Sequence, residues 1–392
     1  MYALKHRILL FDTILDGHHP DYLLHVIAYF SGRPDVDVVV VSGDKFNVDV
    51  EARREADQLV WGANVTFAGI AMDQIARLHA MNIYRRAFVE WHLVLDYATT
   101  HHATHILLMY FDYFQLPAWL GKRSPIPVSG ISFRTNFFED AAGFYPKFKK
   151  WMMARALQSG QVKNLFCLVQ SLVPTIQRIA GPVHVAGLCD PIKSYAIPAE
   201  ARVAFQVKHG IPTDKRVYLN FGFLDDRKGI EVFLKACGQL PPSEHAHMCL
   251  VLAGPIAPAY LPQIEKAIAQ VPSLQVISLF GYLPAQEVQM CFELADVVLM
   301  LYQGHTGMSS VLVRAAMAGK PMLGTELGMI GELIRTRELG IAVDATDYLA
   351  VGNALRQIQT DGLKVHAEAL QRVAEENSLQ AFGDTIARCI ES

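Results

Sequence analysis

No two of the six cysteines form a Cys-x-x-Cys pair; Cys167, Cys189, Cys237, Cys249, Cys291 and Cys389 are scattered over 392 residues. A zinc ribbon or a thioredoxin-type site therefore has no basis, and the thiols read as buried and reduced, as in a cytoplasmic protein. No uncharged apolar run free of Pro and Gly reaches roughly 18 residues, so no membrane-spanning helix is expected. The opening stretch holds one short apolar run, Ile8–Phe11, which is too brief for the core of a secretory signal. A dominant sign of charge is lacking as well: 35 Lys and Arg face 38 Asp and Glu, a net charge of −3. A chain that gripped nucleic acid by its phosphates would be far more basic, so nucleic acid is not an expected partner. No metal-ligand spacing stands out either. His101, His102 and His105 cluster where a helix would end and a strand begin, which fits a structural role better than a metal site.

What is present is apolar surface. Hydrophobic residues make up 52% and charged residues 19%, which is ample for packed cores and excludes a disordered chain. The length suggests two domains. Short Val/Ile/Leu runs (7–12, 36–41, 64–67, 105–110, 127–133, 164–169, 183–186) alternate with helical spacing at 21–30 and along one long stretch, 72–99. The alternation restarts after residue 210, with runs at 216–222, 248–253, 275–280, 297–301 and 321–323. Continuous apolar strands separated by helices imply parallel sheets covered on both faces, the doubly wound α/β arrangement. The expected division is a first domain over 1–190, a linker region over 191–210 with two prolines and no clear period at its start, and a second domain over 211–377. A last helix, 378–391, is free to pack back on the first domain. Two such domains would face a cleft at the carboxyl ends of their strands, where ligands bind in folds of this kind.

Two stretches of the second domain carry candidate chemistry. In Ala295–Gly340 a strand is followed by a Gly-containing loop and then by a helix starting near Ser309 or Ser310. Serine is a favoured N-cap, and loop amides with a helix amino end suit an anion. In Val217–Gln239 a strand ends at Gly222, and Arg227-Lys228-Gly229 leads into a helix, so a lysine stands where it can neutralise a phosphate. The plain alternatives are an ordinary strand–loop–helix crossover for the first and solvated charges beside Asp225 and Asp226 for the second. No Lys-Ser or Lys-Thr closes a Gly-x-x-x-x-Gly, so this is not a P-loop.

Taken together, these stretches resemble the GT-B glycosyltransferases of family 4. Asn220–Gly229 resembles the family's G-x-L-x-x-x-K-G segment, Arg314–Pro321 (RAAMAGKP) its E-A-M-A-x-G-K-P segment, and Gly324–Ile334 (GTELGMIGELI) its x-T-x-x-G-G-x-x-E-x-I segment. Leu188–Ile192 (LCDPI) is similar to the tail of its first domain. The resemblance implies two Rossmann-like domains and no cofactor. Its substrate would be a nucleoside-diphosphate sugar whose hexose moves to a glycan, a lipid-linked or a small-molecule hydroxyl, with retention and without a metal. It implies that Lys228 contacts the donor diphosphate, with Arg227 and Gly222 beside it. Gly307, Met308, Ser309 and Ser310 would meet sugar and phosphates, and Glu332 would lie near the nucleotide end. This sequence departs from the pattern where the family carries two glutamates: Thr306 and Arg314 stand there, and Phe223 replaces a usual arginine. His305 and Thr306 would then read the sugar, and Arg314 would supply a cation or pair with a carboxylate.

In the first domain, Gly17, His18 and His19 follow the first strand, Asp112 follows the fourth and Arg134 ends the fifth. His18, His19 and Asp112 are candidate bases toward the acceptor, with capping turns as the alternative; Gly17 and Arg134 line the acceptor side, with a surface salt bridge as the alternative for Arg134. The stretch 144–157 (FYPKFKKWMMARAL) mixes lysines with aromatics and is a candidate peripheral contact with the cytoplasmic face of a membrane; a helix packed on the sheet with snorkelling lysines is the alternative. The missing glutamates also leave room for a catalytically silent GT-B partner protein that binds a nucleotide or glycan. An epimerase, which needs carboxylates and histidines clustered for water attack at the sugar, and a pyridoxal-dependent phosphorylase have less support; for the latter Lys320, the one lysine near enough for a Schiff base, sits in a Gly-Lys-Pro context that reads as structural.

Overall fold

The computed structural model describes residues 6–14, 19–46, 61–133, 136–138, 143–363 and 365–391. The chain divides into two compact units, Met1–Pro191 with Leu379–Ser392, and Ile192–Ser378.

The first unit is built on a seven-stranded sheet of β1 (His6–Phe11), β2 (Val36–Gly43), β3 (Val65–Ile70), β4 (His105–Leu108), β5 (Val128–Ser132), β6 (Val162–Cys167) and β7 (His184–Gly187), in the order β3-β2-β1-β4-β5-β6-β7. Neighbouring strands pair in parallel, with Phe11 registered against Val41 on one side and Leu108 on the other. Side chains alternate between two cores: Leu9, Phe11, Val39 and Val41 join one cluster, while Ile8, Leu10, Val38 and Val40 join the other. Both faces are therefore covered, which is why these strands read as unbroken apolar runs. The terminal helix Leu379–Glu391 covers one face through Phe382, Ile386 and Ile390, beside Tyr22, Leu23 and Phe30 of the helix His19–Phe30. Asn164 of β6 donates to the Cys389 carbonyl at 2.9 Å, fastening this helix to the sheet.

The second unit holds β8 (Arg216–Phe221), β9 (Met248–Gly254), β10 (Gln275–Phe280), β11 (Val297–Met300), β12 (Met322–Thr325) and β13 (Gly340–Val343), in the order β10-β9-β8-β11-β12-β13, again parallel throughout. β13 has no counterpart among the expected strands; it is a half-buried edge strand of four residues, too short and too exposed to show an apolar run. The expected long helix over 72–99 is two, Met72–His79 and Ile83–Thr100, because the Asn82 side chain accepts the Tyr84 amide at 3.0 Å and starts a new N-terminus. The stretch expected as linker contains the helix Ala199–His209, anchored in the second core by buried Phe205. All six cysteines are buried thiols.

Among the clustered histidines, His105 is buried in β4, with its Nε2 2.9 Å from the Ser129 hydroxyl, which also accepts from Asn164 at 3.0 Å. Burial, with smaller contributions from the Lys163 and His6 charges, pushes its pKa down to about 4. The folded form thus keeps His105 neutral, whereas the unfolded chain takes up a proton near pH 6.5. Between these two values the unfolded state binds more protons, so stability is lost as pH falls through that window. At pH 5 the loss amounts to about 2 kcal/mol relative to pH 8, by one pKa unit per 1.4 kcal/mol. Urea unfolding of the parent and of His105→Gln at both pH values checks this. The variant should lose most of the difference, and equal pH dependence in the two proteins would contradict it.

Candidate functional site

In each sheet the strand order reverses between two neighbours, β1/β4 in the first unit and β8/β11 in the second. Loops leaving the carboxyl ends of such a pair run in opposite directions and leave a crevice, the usual ligand position in open parallel sheets. Each unit has its polar groups at this place.

In the second unit the loop after β8 and the loop after β11 are locked together. Gly229, at φ 66°, lies against the Leu301 carbonyl, where a Cβ would collide, and the Gln303 amide donates to the Arg227 carbonyl at 2.8 Å. This close fit carries Lys228 to the switch point. Its ammonium donates to the Phe221 carbonyl at 2.8 Å and to the Tyr302 hydroxyl at 3.0 Å, and lies 4.4 Å from the centre of the Tyr302 ring. A lysine has three N–H donors, so these partners leave one for an anion. Gly222 is required beside it: φ is 115°, and a Cβ would stand 2.9 Å from the Lys228 nitrogen. The Tyr302 hydroxyl reaches on to Ser309 Oγ at 3.1 Å, and Ser309 caps the helix Ser310–Met317 by accepting the Val311 amide. Lysine, phenol, serine and a helix amino end thus form one continuous polar row, with the donors and dipole that suit a phosphate.

The remaining expected residues sit around this row. His305 places Nε2 3.3 Å from the Met308 carbonyl and its ring edge-on to Tyr302. Thr306 is exposed, and its carbonyl accepts the Met329 amide at 2.9 Å, tying this loop to the start of the helix Gly328–Thr336. Gly307 and Met308 are half-buried, Met308 against the core; Ser310 is exposed and Arg314 half-buried on the same helix. Arg227 points to solvent and pairs with Asp225 at 2.8 Å, and that carboxylate raises its pKa by hydrogen bonding and charge. Glu332 is exposed within the helix Gly328–Thr336, while Glu326 directly follows β12. Lys320 donates its amide to the Ala315 carbonyl at 2.8 Å beyond the end of the helix Ser310–Met317, and burial lowers its pKa.

In the first unit Asp12 follows β1 directly and is 4% exposed. One carboxylate oxygen accepts the Ile14 amide at 2.9 Å and the other lies 2.8 Å from His19 Nδ1. An ionised carboxylate only accepts, so Nδ1 carries an N–H, and in the neutral ring the lone pair is on Nε2. The described residues place no hydrogen-bond partner on Nε2. The ring stacks on Phe133 (centroids 5.7 Å, planes 16° apart) and packs against Tyr110, which fixes its direction. Behind this pair, buried Glu90 accepts from Thr13 at 2.6 Å and from Arg86 at 2.8 Å, and Arg86 also donates to Thr13 at 3.0 Å. Sequence reasoning passed over Asp12, Arg86, Glu90 and Tyr302. For Arg86 and Glu90 the signal was available, an i,i+4 ion pair on a helix whose neighbouring Ala87, Trp91 and Val94 are buried.

Asp112, read as a candidate base or a helix cap, lies in the short helical turn Phe111–Tyr113 after β4. Its two oxygens accept the Ser132 hydroxyl at 2.9 Å and the Phe133 amide at 2.8 Å, which ties the β4 loop to the end of β5. Gly17, His18 and Arg134 lie outside the described residues.

Comparison with known proteins agrees with this layout. Residues 202–378 match the family described as glycosyl transferases group 1. Protein YtcC of Bacillus subtilis (strain 168) is 25% identical over 185 residues, a match spanning 43% of this chain and 44% of that protein, less than half the length of either. Crystal structures of Anabaena Alr3699/HepE share the fold: the complex with UDP superposes at a TM-score of 0.68 over 99% of both chains with 14% identity. The complex of the same protein with UDP-glucose gives 0.64 over 98% and 99%, also at 14% identity. A glycosyltransferase from Rickettsia africae ESF-5 gives 0.69 over 99% and 98% at 13% identity. The architecture is that of the GT-B glycosyltransferases, two Rossmann-like α/β units.

Proposed function

We propose, from the premise that residues 202–378 are a glycosyl transferases group 1 segment on a GT-B fold, that the chain transfers a hexose from a nucleoside-diphosphate sugar to a hydroxyl acceptor. The observation that carries this reading is Lys228, held at the β8/β11 switch point with one N–H unused among the described residues and the Ser309-capped helix beside it. The departing group is a nucleoside diphosphate, and fixed donors aimed at its growing charge lower the barrier to its departure. His305 and Thr306 border the same loop and take the sugar. In the first unit the Asp12–His19 pair offers Nε2 to the acceptor hydroxyl as general base. Lys228 and the amides carry the diphosphate charge without a metal, and the transferred sugar keeps its anomeric configuration, as the family resemblance implies.

A second reading is favoured by one observation: Thr306 and Arg314 occupy the positions of the family's two glutamates. It holds that the chain binds a nucleotide or glycan and transfers nothing. One experiment separates the two. The protein is incubated with a panel of uridine, guanosine and adenosine diphosphate sugars, starting with UDP-glucose because the Anabaena neighbour was crystallised with it. Slow release of the nucleoside diphosphate, unchanged by EDTA, is the expected result. Tight nucleotide binding with no release from any donor would establish the silent protein instead.

A further inference from the structure

We propose that the start of the helix Phe144–Leu157 and the end of the helix Gln115–Leu120 form a tip that docks on an anionic lipid surface. The second half of the longer helix is anchored in its unit, with Met152, Met153, Ala156 and Leu157 buried. The part up to Trp151 is not: Phe144 is 85% exposed, Tyr145 65%, Phe148 36% and Trp151 43%, and Leu120 of the neighbouring helix is 60% exposed. The rings form a pre-assembled ridge, with Phe144 stacked on Phe148 at 6.1 Å, Phe148 on Trp151 at 6.0 Å, and Trp151 edge-on to Trp119 at 5.0 Å. The surface is thus a tip rather than a helix laid flat over its whole length.

Charge identifies the occupant. Between residues 115 and 157 the described residues carry Lys122, Arg123, Lys147, Lys149, Lys150 and Arg155 and no acidic side chain. Glu139 and Asp140 lie outside the described residues, and with them the stretch is still basic. Cations around an aromatic ridge complement a negatively charged headgroup layer, in which amphipathic rings settle. A second copy of the chain would set these cations against their like, and protein–protein interfaces are depleted in lysine. This surface does not depend on the reaction proposed above.

Flotation of the full chain tests it, with vesicles of phosphatidylcholine alone and vesicles containing a third phosphatidylglycerol. The protein should float with the anionic vesicles only, and less as salt is raised. The double variant Phe144→Ser with Tyr145→Ser, and separately Lys147→Glu, should each lower the partition constant about fivefold or more. Circular dichroism should be unchanged, because these side chains are exposed. Absence of binding at low salt, equal binding to neutral vesicles, or variants that float like the parent would each overturn the proposal. A dimer in sedimentation that the double variant dissolves, without vesicle binding, would assign the tip to a second copy and overturn it too.

Discussion

Lys228→Ala is expected to lower kcat/KM for the sugar-nucleotide donor by about a hundredfold to a thousandfold, the range for losing one fixed donor to a developing oxyanion. The inhibition constant of the free nucleoside diphosphate should rise with it, because the ammonium meets the diphosphate in both the bound and the departing form. The fold should tolerate the change. Lys228 gives up part-buried hydrogen bonds to the Phe221 carbonyl and the Tyr302 hydroxyl, each worth about 1.5–3 kcal/mol net for a charged donor, which should lower the unfolding midpoint without abolishing folding. The loops stay joined by the Gly229–Leu301 packing and the Gln303–Arg227 bond. A loss of activity with a cooperative, somewhat lowered unfolding transition is therefore the expected pattern. Lys228→Arg separates charge from geometry. A guanidinium keeps the charge, but it does not reproduce a single ammonium aimed between a carbonyl and a phenol, so rescue should be partial. Tyr302→Phe should fall between parent and Ala, because it frees one of the two tethers that aim the ammonium while keeping the ring beneath it. Unchanged donor kinetics in Lys228→Ala would remove the lysine from the diphosphate site and leave the transfer reading without its main support.

The parallel sheets were legible because both their faces are buried, so β1, β2, β8 and β9 appear as unbroken apolar runs. β13 and the helix Ala199–His209 were not, because each buries too little to imprint a pattern; of that helix only Phe205 is buried. Lys228 was legible only as a lysine in a Gly-bounded loop, with solvated charge beside Asp225 and Asp226 as the alternative; its link to a diphosphate came from the family resemblance, not from the spacing. Tyr302 was not: it stands two residues after the apolar strand β11 and reads as more of the same, and only the fold shows its hydroxyl between Lys228 and Ser309. Asp112 shows the converse. A carboxylate at a strand end reads equally as base or helix cap, and its bonds to Ser132 and Phe133 can be known only once β4 and β5 are side by side. The same limit hid Asp12, whose role depends on a histidine seven residues on being folded back against it.

His19→Ala should reduce transfer to the acceptor by about a hundredfold to ten-thousandfold, the span for a positioned general base, while nucleotide binding stays unchanged. The two readouts differ because the donor contacts named above all belong to residues of the second unit. Asp12→Asn keeps the size of the side chain but can present an amide N–H to Nδ1. The imidazole proton would then move to Nε2, and the base would lose its lone pair. Its cost should approach that of His19→Ala, whereas a purely structural role for Asp12 would lower stability and leave the acceptor KM and kcat of the folded fraction alone. Thr13, Glu90 and Arg86 behind the pair supply a control: Arg86→Lys would loosen the loop that carries Asp12 without touching the imidazole, so a mild loss is expected there. If His19→Ala transfers at the parent rate, the acceptor proton must leave by another route. The nearest chemical candidate is then the departing diphosphate oxygen itself, a base that comes with the donor, and the first unit's contribution would reduce to holding the acceptor in place.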